Sequence, residues 1–385
     1  MKSGAGTARI RVAYCIDSFA VGGTELNAIR SAEALDPNRF ELAVIHFQST
    51  GTLRARYEAL RVNMHHMPIS NLYSLSTAVQ GVRFGRLLRT WGADVIHTHD
   101  LYTNIFAAPW ARMIGNCRVI ASRRWWFDAP RAGLGVLNRF SYRFADRVLT
   151  NSSSLGKMMH EQEKVPIAKI VEIPNFLDER AFQSSESDSV ATTRMRWGLA
   201  DHTFTVGMVA RLVPVKNHVL LLRAAALLDS RFQFVLVGDG SSRTYLQQMS
   251  RQLGIDARVH FVGEVLSEQN LHQFFDVSVL CSLSEGFPNS ILEAMASARP
   301  VVATAVGGIP EVVVDQVTGI LISTEDPSKL ASALCLLESD RALCQRLGLA
   351  AQQAVRSKFH RTVVMKQLSA LYAELAPKPS LRRAG

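Results

Sequence analysis

The sequence predicts two α/β domains, each a parallel sheet with helices on both faces, joined by a short polar linker. Three observations support this. At 385 residues the chain is too long for one ordinary domain and suits two of roughly 180 residues each. Short, near-continuous apolar runs alternate with helical stretches along most of its length, which is the grammar of βαβ units. Composition shifts between Leu177 and Val190, where Asp178, Glu179, Gln183, Ser184, Ser185, Glu186, Ser187, Asp188 and Ser189 crowd together. The expected layout is a domain over 1–180, a linker over 181–195 and a domain over 196–360. A helix and basic tail over 361–385 are expected to pack back on the first domain.

In the first half, residues 9–16, 40–47, 93–97, 119–122 and 147–151 read as strands, and 24–35 and 74–91 as helices, the latter amphipathic. The second half continues with strands over 204–210, 232–237, 259–262, 277–281, 300–304 and 319–322. Their unbroken apolar character suits strands buried on both faces. Helices fill the intervals, and residues 327–337, 341–358 and 361–375 close the chain as helices. Two such doubly wound, Rossmann-like domains would place ligands at the carboxyl ends of their strands, facing a central cleft.

Hydrophobic residues at 48% and charged residues at 20% exclude a disordered or fibrous chain. The five cysteines, Cys15, Cys117, Cys281, Cys335 and Cys344, show neither metal-ligand spacing nor a disulfide framework, which fits a reducing cytosol. The run from Met1 to Arg11 lacks the apolar segment of a signal peptide. No stretch reaches the roughly 18 apolar residues that would span a membrane. The formal charge of +10 is uneven: residues 49–143 hold 13 arginines and four acids (Glu58, Asp94, Asp100 and Asp128). Such an excess suits an anionic membrane, nucleic acid or a phosphorylated substrate, and composition alone does not choose among them.

Residues able to do chemistry fall just after strands. Arg211 and Lys216, in Ala-Arg-Leu-Val-Pro-Val-Lys, can converge on a diphosphate without a metal; as two basic residues on a loop they also read as solvated surface. After the strand at 277–281 comes Ser-Leu-Ser-Glu-Gly-Phe-Pro-Asn-Ser-Ile-Leu-Glu. A helix opening near Asn289 and Ser290 would turn free N–H groups toward an anion lying against Phe287, Asn289, Ser290 and Ile291. Glu285 precedes that helix and can reach a sugar hydroxyl. Glu293 follows by about one turn, roughly 6 Å along the axis from Asn289, where it can accept from ribose hydroxyls. The bland alternatives are a dipole-favoured acid for Glu285 and a solvated one for Glu293, though an unpaired acid on that packed face would be costly.

These segments, ARLVPVK, VLVGDG, SEGFPNSILEAMASARPVVAT with its Glu-x7-Glu, and GGIPE, resemble glycosyltransferase family 4, of the two-Rossmann GT-B architecture. The resemblance runs through nearly the whole second domain. It implies Arg211 and Lys216 on the donor diphosphate, Glu293 on the ribose and Glu285 on the donor sugar. In the first half, Gly22 and Gly23 open a helix after the first strand, where a loop without side chains admits phosphate or acceptor; the family uses the same loop, and Gly23 is the candidate. Asp94-Val-Ile-His-Thr-His-Asp ends a strand in two histidines. The family places an active-site histidine at the position of His99, while His97 is expected to turn to the other side of the strand and serve the core. Ile173-Pro-Asn-Phe-Leu-Asp differs from the family's pattern at Phe176, where glycine is usual. Gly307 and Gly308 form either a tight turn or a loop behind the donor site.

No Asp-x-Asp occurs, so neither metal nor other cofactor is expected, and Arg211, Lys216 and the helix dipole must balance the leaving charge. The resemblance implies a retaining transfer, by same-face attack since no second acid besides Glu285 presents itself, with His99 steadying the sugar. The expected donor is UDP- or GDP-linked. The expected acceptor is a glycan or a lipid-linked molecule of polysaccharide or glycolipid synthesis, used in the cytoplasm at the inner face of the membrane. The helix at 74–91, with Leu75, Val79, Val82, Leu87, Leu88, Arg83, Arg86 and Arg89, suits an anionic membrane surface. So does Arg123-Arg124-Trp125-Trp126-Phe127; a solvated helix and a core aromatic cluster explain both equally. No nucleic-acid module accompanies the arginines. Two rivals stand beside this reading. A dinucleotide-dependent oxidoreductase should carry Gly-x-Gly-x-x-Gly, which is absent. A non-catalytic sugar-nucleotide binder would not need Glu285 and His99.

Overall fold

The computed structural model describes residues 9–69, 71–72, 74–126, 132–183, 187–199, 202–265 and 270–377. The chain divides into two compact units, Met1–Pro174 with Val364–Gly385, and Asn175–Val363.

The first unit runs β1 (Ile10–Ile16), α1 (Gly23–Ala34), β2 (Phe40–His46), α2 (Arg54–Ala59), β3 (Asn63–His66), α3 (Leu75–Trp91), β4 (Val95–Thr98), α4 (Leu101–Trp110), β5 (Arg118–Arg123), α5 (Ala132–Ser141), β6 (Arg147–Thr150), α6 (Ser153–Glu161) and β7 (Ile170–Glu172). Its strands form a seven-stranded sheet in the order β3-β2-β1-β4-β5-β6-β7, and every described pairing is parallel. The short β3 and β7 escape a reading of apolar runs. Asn-Met-His-His and Ile-Val-Glu lie toward the sheet edges, where one flank meets solvent and apolar continuity is not required.

In the second unit come α7 (Ser187–Arg196), β8 (Phe204–Val209), α8 (His218–Ala226), β9 (Phe232–Val237), α9 (Arg243–Gln252), β10 (Val259–Gly263), β11 (Val277–Leu280), α10 (Asn289–Ala296), β12 (Val301–Thr304), α11 (Ile309–Val312), β13 (Ile320–Ile322), α12 (Pro327–Ser339) and α13 (Arg341–Lys358). The sheet order is β10-β9-β8-β11-β12-β13, again parallel. One core fills this unit, with Phe204, Phe232, Phe234, Leu292, Leu334 and Leu347 among its members. The closing helix α14 (Arg361–Leu375) contributes its residues from Val364 onward to the first unit.

The structure bears on three of these readings. Where a linker was expected at 181–195, a 3-10 turn covers Glu179–Phe182 and α7 begins at Ser187, while residues 184–186 lie outside the described part. The polar composition of α7 reflects a helix attached along one side only: Val190 and Trp197 pack on a small core that includes Phe274 and Phe275, and Arg194 Nη1 donates to the Phe274 carbonyl at 3.0 Å. The compact units part between Pro174 and Asn175.

Helix α3 turns inward a face made largely of small residues. Thr77, Gly81, Phe84, Gly85 and Leu88 are buried, whereas Leu75 and Val79 are 90% and 54% exposed. The glycines are needed for space: a Cβ on Gly81 would lie 2.0 Å from Trp110, and one on Gly85 2.5 Å from Ile114. Small residues let α3 sit directly on α4 and the turn after it, so the contact face is not an apolar stripe.

Of the two readings of Arg123 and Arg124, lipid headgroups or a core cluster, the structure favours the core: they are buried at 2% and 8% exposure. Arg123 ends β5, and its guanidinium pairs with the equally buried Glu163 at 3.2 Å. Trp126 packs against the core of this unit, and Phe127 lies outside the described residues. A strand flanked by neighbours on both sides keeps even its charged end residues inside, provided they are paired. Among the described residues no helix is long and apolar enough to cross a membrane.

Candidate active site

Both sheets reverse strand order once, between β1 and β4 and between β8 and β11. In open parallel sheets the loops leaving the carboxyl ends of these paired strands diverge and open a crevice, where ligands bind. The candidate residues of both units lie at these reversals.

In the second unit, Arg211 follows β8 and is exposed; among the described residues its side chain has no partner. The chain then makes a 3-10 turn over Pro214–Lys216, which carries the Lys216 ammonium onto the Glu285 carboxylate. The pair joins the loop after β8 to the loop after β11, with side chains 21% and 10% exposed. Leu283 N also donates to the Val215 carbonyl at 2.8 Å, tying the same loops through their backbones.

Glu285 is held from several sides. Ser282 Oγ donates to its Oε1 at 2.6 Å, the same oxygen that meets Lys216. Oε2 is left without a partner among the described residues. Its backbone carbonyl accepts from Gly308 N at 3.2 Å. Gly307 stands at φ +52, and a Cβ there would fall 1.8 Å from the Glu285 carbonyl oxygen. The loop is a turn requiring a left-handed residue, and it braces the backbone of Glu285.

Beyond Glu285, α10 starts after Pro288, and no side chain caps it. An uncapped amino terminus presents unsatisfied N–H groups and the positive end of the helix dipole. Of the residues expected to meet an anion there, Phe287 and Ile291 turn their side chains inward at 7% and 2% exposure, Phe287 edge-on to Phe359 at 5.6 Å. Only their backbones can serve a ligand. Asn289 Oδ1 is occupied, accepting from Asn175 Nδ2 at 2.7 Å, and Ser290 is half-buried. Glu293 is half-buried one turn on, with its carbonyl accepting from Asn270 Nδ2 at 2.6 Å.

Three participants of this unit were not singled out in the sequence: Ser282, Asn175 and His218. Ser282 had a signal, three residues ahead of Glu285 in the same loop. His218 follows Lys216-Asn217 and begins α8. It is buried, and neither ring nitrogen finds a partner among the described residues. Burial, then the nearby Lys216 charge, draws it down to about 4, so it is neutral at pH 7.

In the first unit, Gly22 stands in extended backbone at the amino end of α1, Gly23 is its first residue, and no side chain caps the helix. His99 follows β4 and donates its backbone N–H to the Cys15 carbonyl at 3.1 Å. Its ring is enclosed, and among the described residues both nitrogens lack a partner. Burial, then the Arg124 charge, holds it neutral, well below the usual histidine range.

His97 was expected on the other side of the strand. Instead its ring stacks on that of His99, with centroids 4.1 Å apart and planes at 28°. The physical reason is the period of a strand: residues two apart share a face. Both nitrogens of His97 are engaged, Nδ1 with Tyr372 Oη and Nε2 with Ser122 Oγ, each at 2.7 Å.

The family described as Glycosyltransferase Family 4 matches residues 21–180, and that described as Glycosyl transferases group 1 matches residues 190–354. Together they span most of the chain. The chain belongs to glycosyltransferase family 4. Among its relatives is the N-acetyl-alpha-D-glucosaminyl L-malate synthase of Bacillus anthracis, 28% identical over 73% of this chain and 75% of that protein. A D-inositol 3-phosphate glycosyltransferase of Salinispora arenicola is 29% identical over 82% of this chain and 70% of its own. The crystal structure of Anabaena HepE in complex with UDP-glucose shares the fold, with a TM-score of 0.84 over 95% of this chain and all of that one, at 23% identity. The family 4 enzyme is therefore a glycosyltransferase of GT-B fold.

Proposed function

We propose that this enzyme transfers a sugar from a nucleotide-diphosphate donor to a glycan or lipid-linked acceptor, without a metal and with retention of configuration. The reading rests chiefly on the Lys216–Glu285 ion pair at the β8–β11 reversal, with Arg211 and the uncapped start of α10 on the same two loops. Two cations and a helix amino terminus can balance the charge that grows on a departing diphosphate. Glu285 spends Oε1 on Lys216 and Ser282 and keeps Oε2 for a sugar hydroxyl. Glu293 takes the ribose.

In the proposed step the acceptor oxygen bonds to the anomeric carbon on the face the phosphate leaves. The glycosidic C–O bond breaks with its electron pair on the phosphate oxygen, and that oxygen receives the acceptor's proton. Neutral His99 steadies the sugar, since an imidazole with free nitrogens can both donate and accept. HepE holds UDP-glucose, which favours a uridine nucleotide. The exposed Leu75 and Val79, with Arg83 and Arg86 further along the outer side of α3, suit an acceptor presented at an anionic membrane, as in surface polysaccharide or glycolipid synthesis.

Thermal shift against UDP and GDP tests the donor, because bound ligand stabilises the folded state by mass action. No shift with either, or an inverted product anomer by NMR, refutes the reading. Binding to anionic liposomes that fades with salt is expected of the membrane face, and equal binding to neutral liposomes refutes it.

A further inference from the structure

Tyr372 lies on α14, near the end of the described chain, yet it is fully buried in the first unit. Phe40 stands edge-on to its ring at 5.9 Å. Its hydroxyl meets His97 Nδ1 at 2.7 Å and donates to Tyr14 Oη at 3.0 Å. Tyr14 in turn packs on His99, with ring centroids 4.5 Å apart. His99 is thus bounded by His97 on one side and Tyr14 on another, and Tyr372 touches both of those neighbours.

We propose that Tyr372 is a positioning residue for His99, acting through His97 and Tyr14, so that the closing helix of the chain sets the geometry of the reaction site. Counting protons makes the claim specific. A phenol has one proton, and Tyr372 spends it on Tyr14. Its oxygen must therefore accept from His97, which places the His97 proton on Nδ1. Nε2 is then bare and accepts from Ser122 Oγ. Each member has one role, and the His97 ring is fixed in plane and rotation beneath His99. His99 has no hydrogen bond of its own to fix its ring, and stacking between two held rings supplies what is missing. A ring held this way keeps its orientation with neither nitrogen spent on a hydrogen bond to the protein among the described residues.

The inference rests on the reading that His99 acts at the reacting sugar. Two measurements on the intact enzyme test it. In the unmodified protein, imidazole 15N NMR, with the His97 signals assigned by their loss in His97→Gln, is expected to show the Nδ1-protonated tautomer. The Nε2-protonated form overturns the proton count and with it the proposal. In Tyr372→Phe, which loses only the hydroxyl, kcat is expected to fall about ten-fold, as small misplacements of a reacting group do. KM for the nucleotide sugar is expected to stay unchanged, since Arg211, Lys216 and Glu293 are untouched. Full kcat in the folded variant, or a loss confined to KM, overturns the proposal. If Tyr372→Phe does not fold, Ser122→Ala probes the other side of His97 with the same expectations. His99→Ala separates the two ideas: full activity there removes the underlying reading, whereas impaired His99→Ala beside unimpaired Tyr372→Phe removes only the inference about Tyr372.

Discussion

Replacing Gly307 by alanine should cripple the loop that carries Glu285 while leaving the rest of the second unit intact. At φ +52 any Cβ is strained, and here it would also fall 1.8 Å from the carbonyl oxygen of Glu285. The left-handed backbone costs about 1 to 2 kcal/mol. Relieving the overlap means moving one of two backbones by about 1 Å, and overpacking of that kind costs roughly 1 to 3 kcal/mol. The Gly308 N–H bond to Glu285, which the movement breaks, adds about 1 kcal/mol. The sum is about 3 to 6 kcal/mol if the loop stays in place. If the loop gives way instead, stability recovers, Glu285 is displaced, and activity falls by on the order of 10²-fold.

Urea unfolding and kcat/KM on the same preparation measure both routes. Gly254→Ala is the control: its φ is +67 but nothing lies within 4 Å of the added Cβ, so it should lose only the backbone cost. Gly307→Ala with stability matching that control and unchanged kcat/KM would falsify the claim that this glycine braces Glu285.

Lys216→Met should weaken donor binding about ten-fold or more and destabilise the protein by roughly 2 kcal/mol, because the half-enclosed Glu285 keeps only Ser282 as partner. Adding Glu285→Gln should recover part of that stability and none of the activity, and a double-mutant cycle with no coupling would refute the pairing. Gly81→Ala should cost about 1 to 3 kcal/mol in urea unfolding through its clash with Trp110; a neutral result would mean that α3 sits farther from α4.

Asp100 caps α4, and burial, reinforced by Asp17, raises its carboxyl to about 7; Glu25 pushes it the same way. The folded protein therefore holds a proton that the unfolded chain gives up at about pH 4. This contribution to stability is complete below about pH 4 and is lost as pH rises to about 7. The ceiling is about 4 kcal/mol, roughly halved by the solvent that reaches the residue. Asp100→Asn, which still caps the helix, should flatten stability across that window in urea titrations, and an unchanged slope would count against the buried carboxyl.

Local order was enough for the sequence to declare the sheets. Apolar runs such as Val277–Leu280 bury whichever way they turn, so their positions follow from hydrophobicity alone. The candidate-site loops were legible for a related reason: a site at the end of a strand must carry its residues within one loop, as Glu285 and Asn289 are carried. The contact face of α3 is built from small residues such as Gly81 and Gly85, a surface that apolar counting does not single out. His97 could have been assigned to the same face as His99 by strand period.

What the sequence alone determined about this protein is the βα series, the strand-end placement of Arg211, Lys216, Glu285, Glu293 and His99, and the glycosyltransferase family they indicate. The tertiary structure decided which of these residues meet. Lys216 and Glu285 are 69 positions apart, and no local signal couples them until β8 and β11 lie side by side. Tyr372 and His97 are 275 positions apart, and only the return of α14 to the first unit brings a phenol to that imidazole. Local structure follows from periodicity over a few residues, whereas such pairings depend on the path of the whole chain, which sets the distance between side chains remote in sequence.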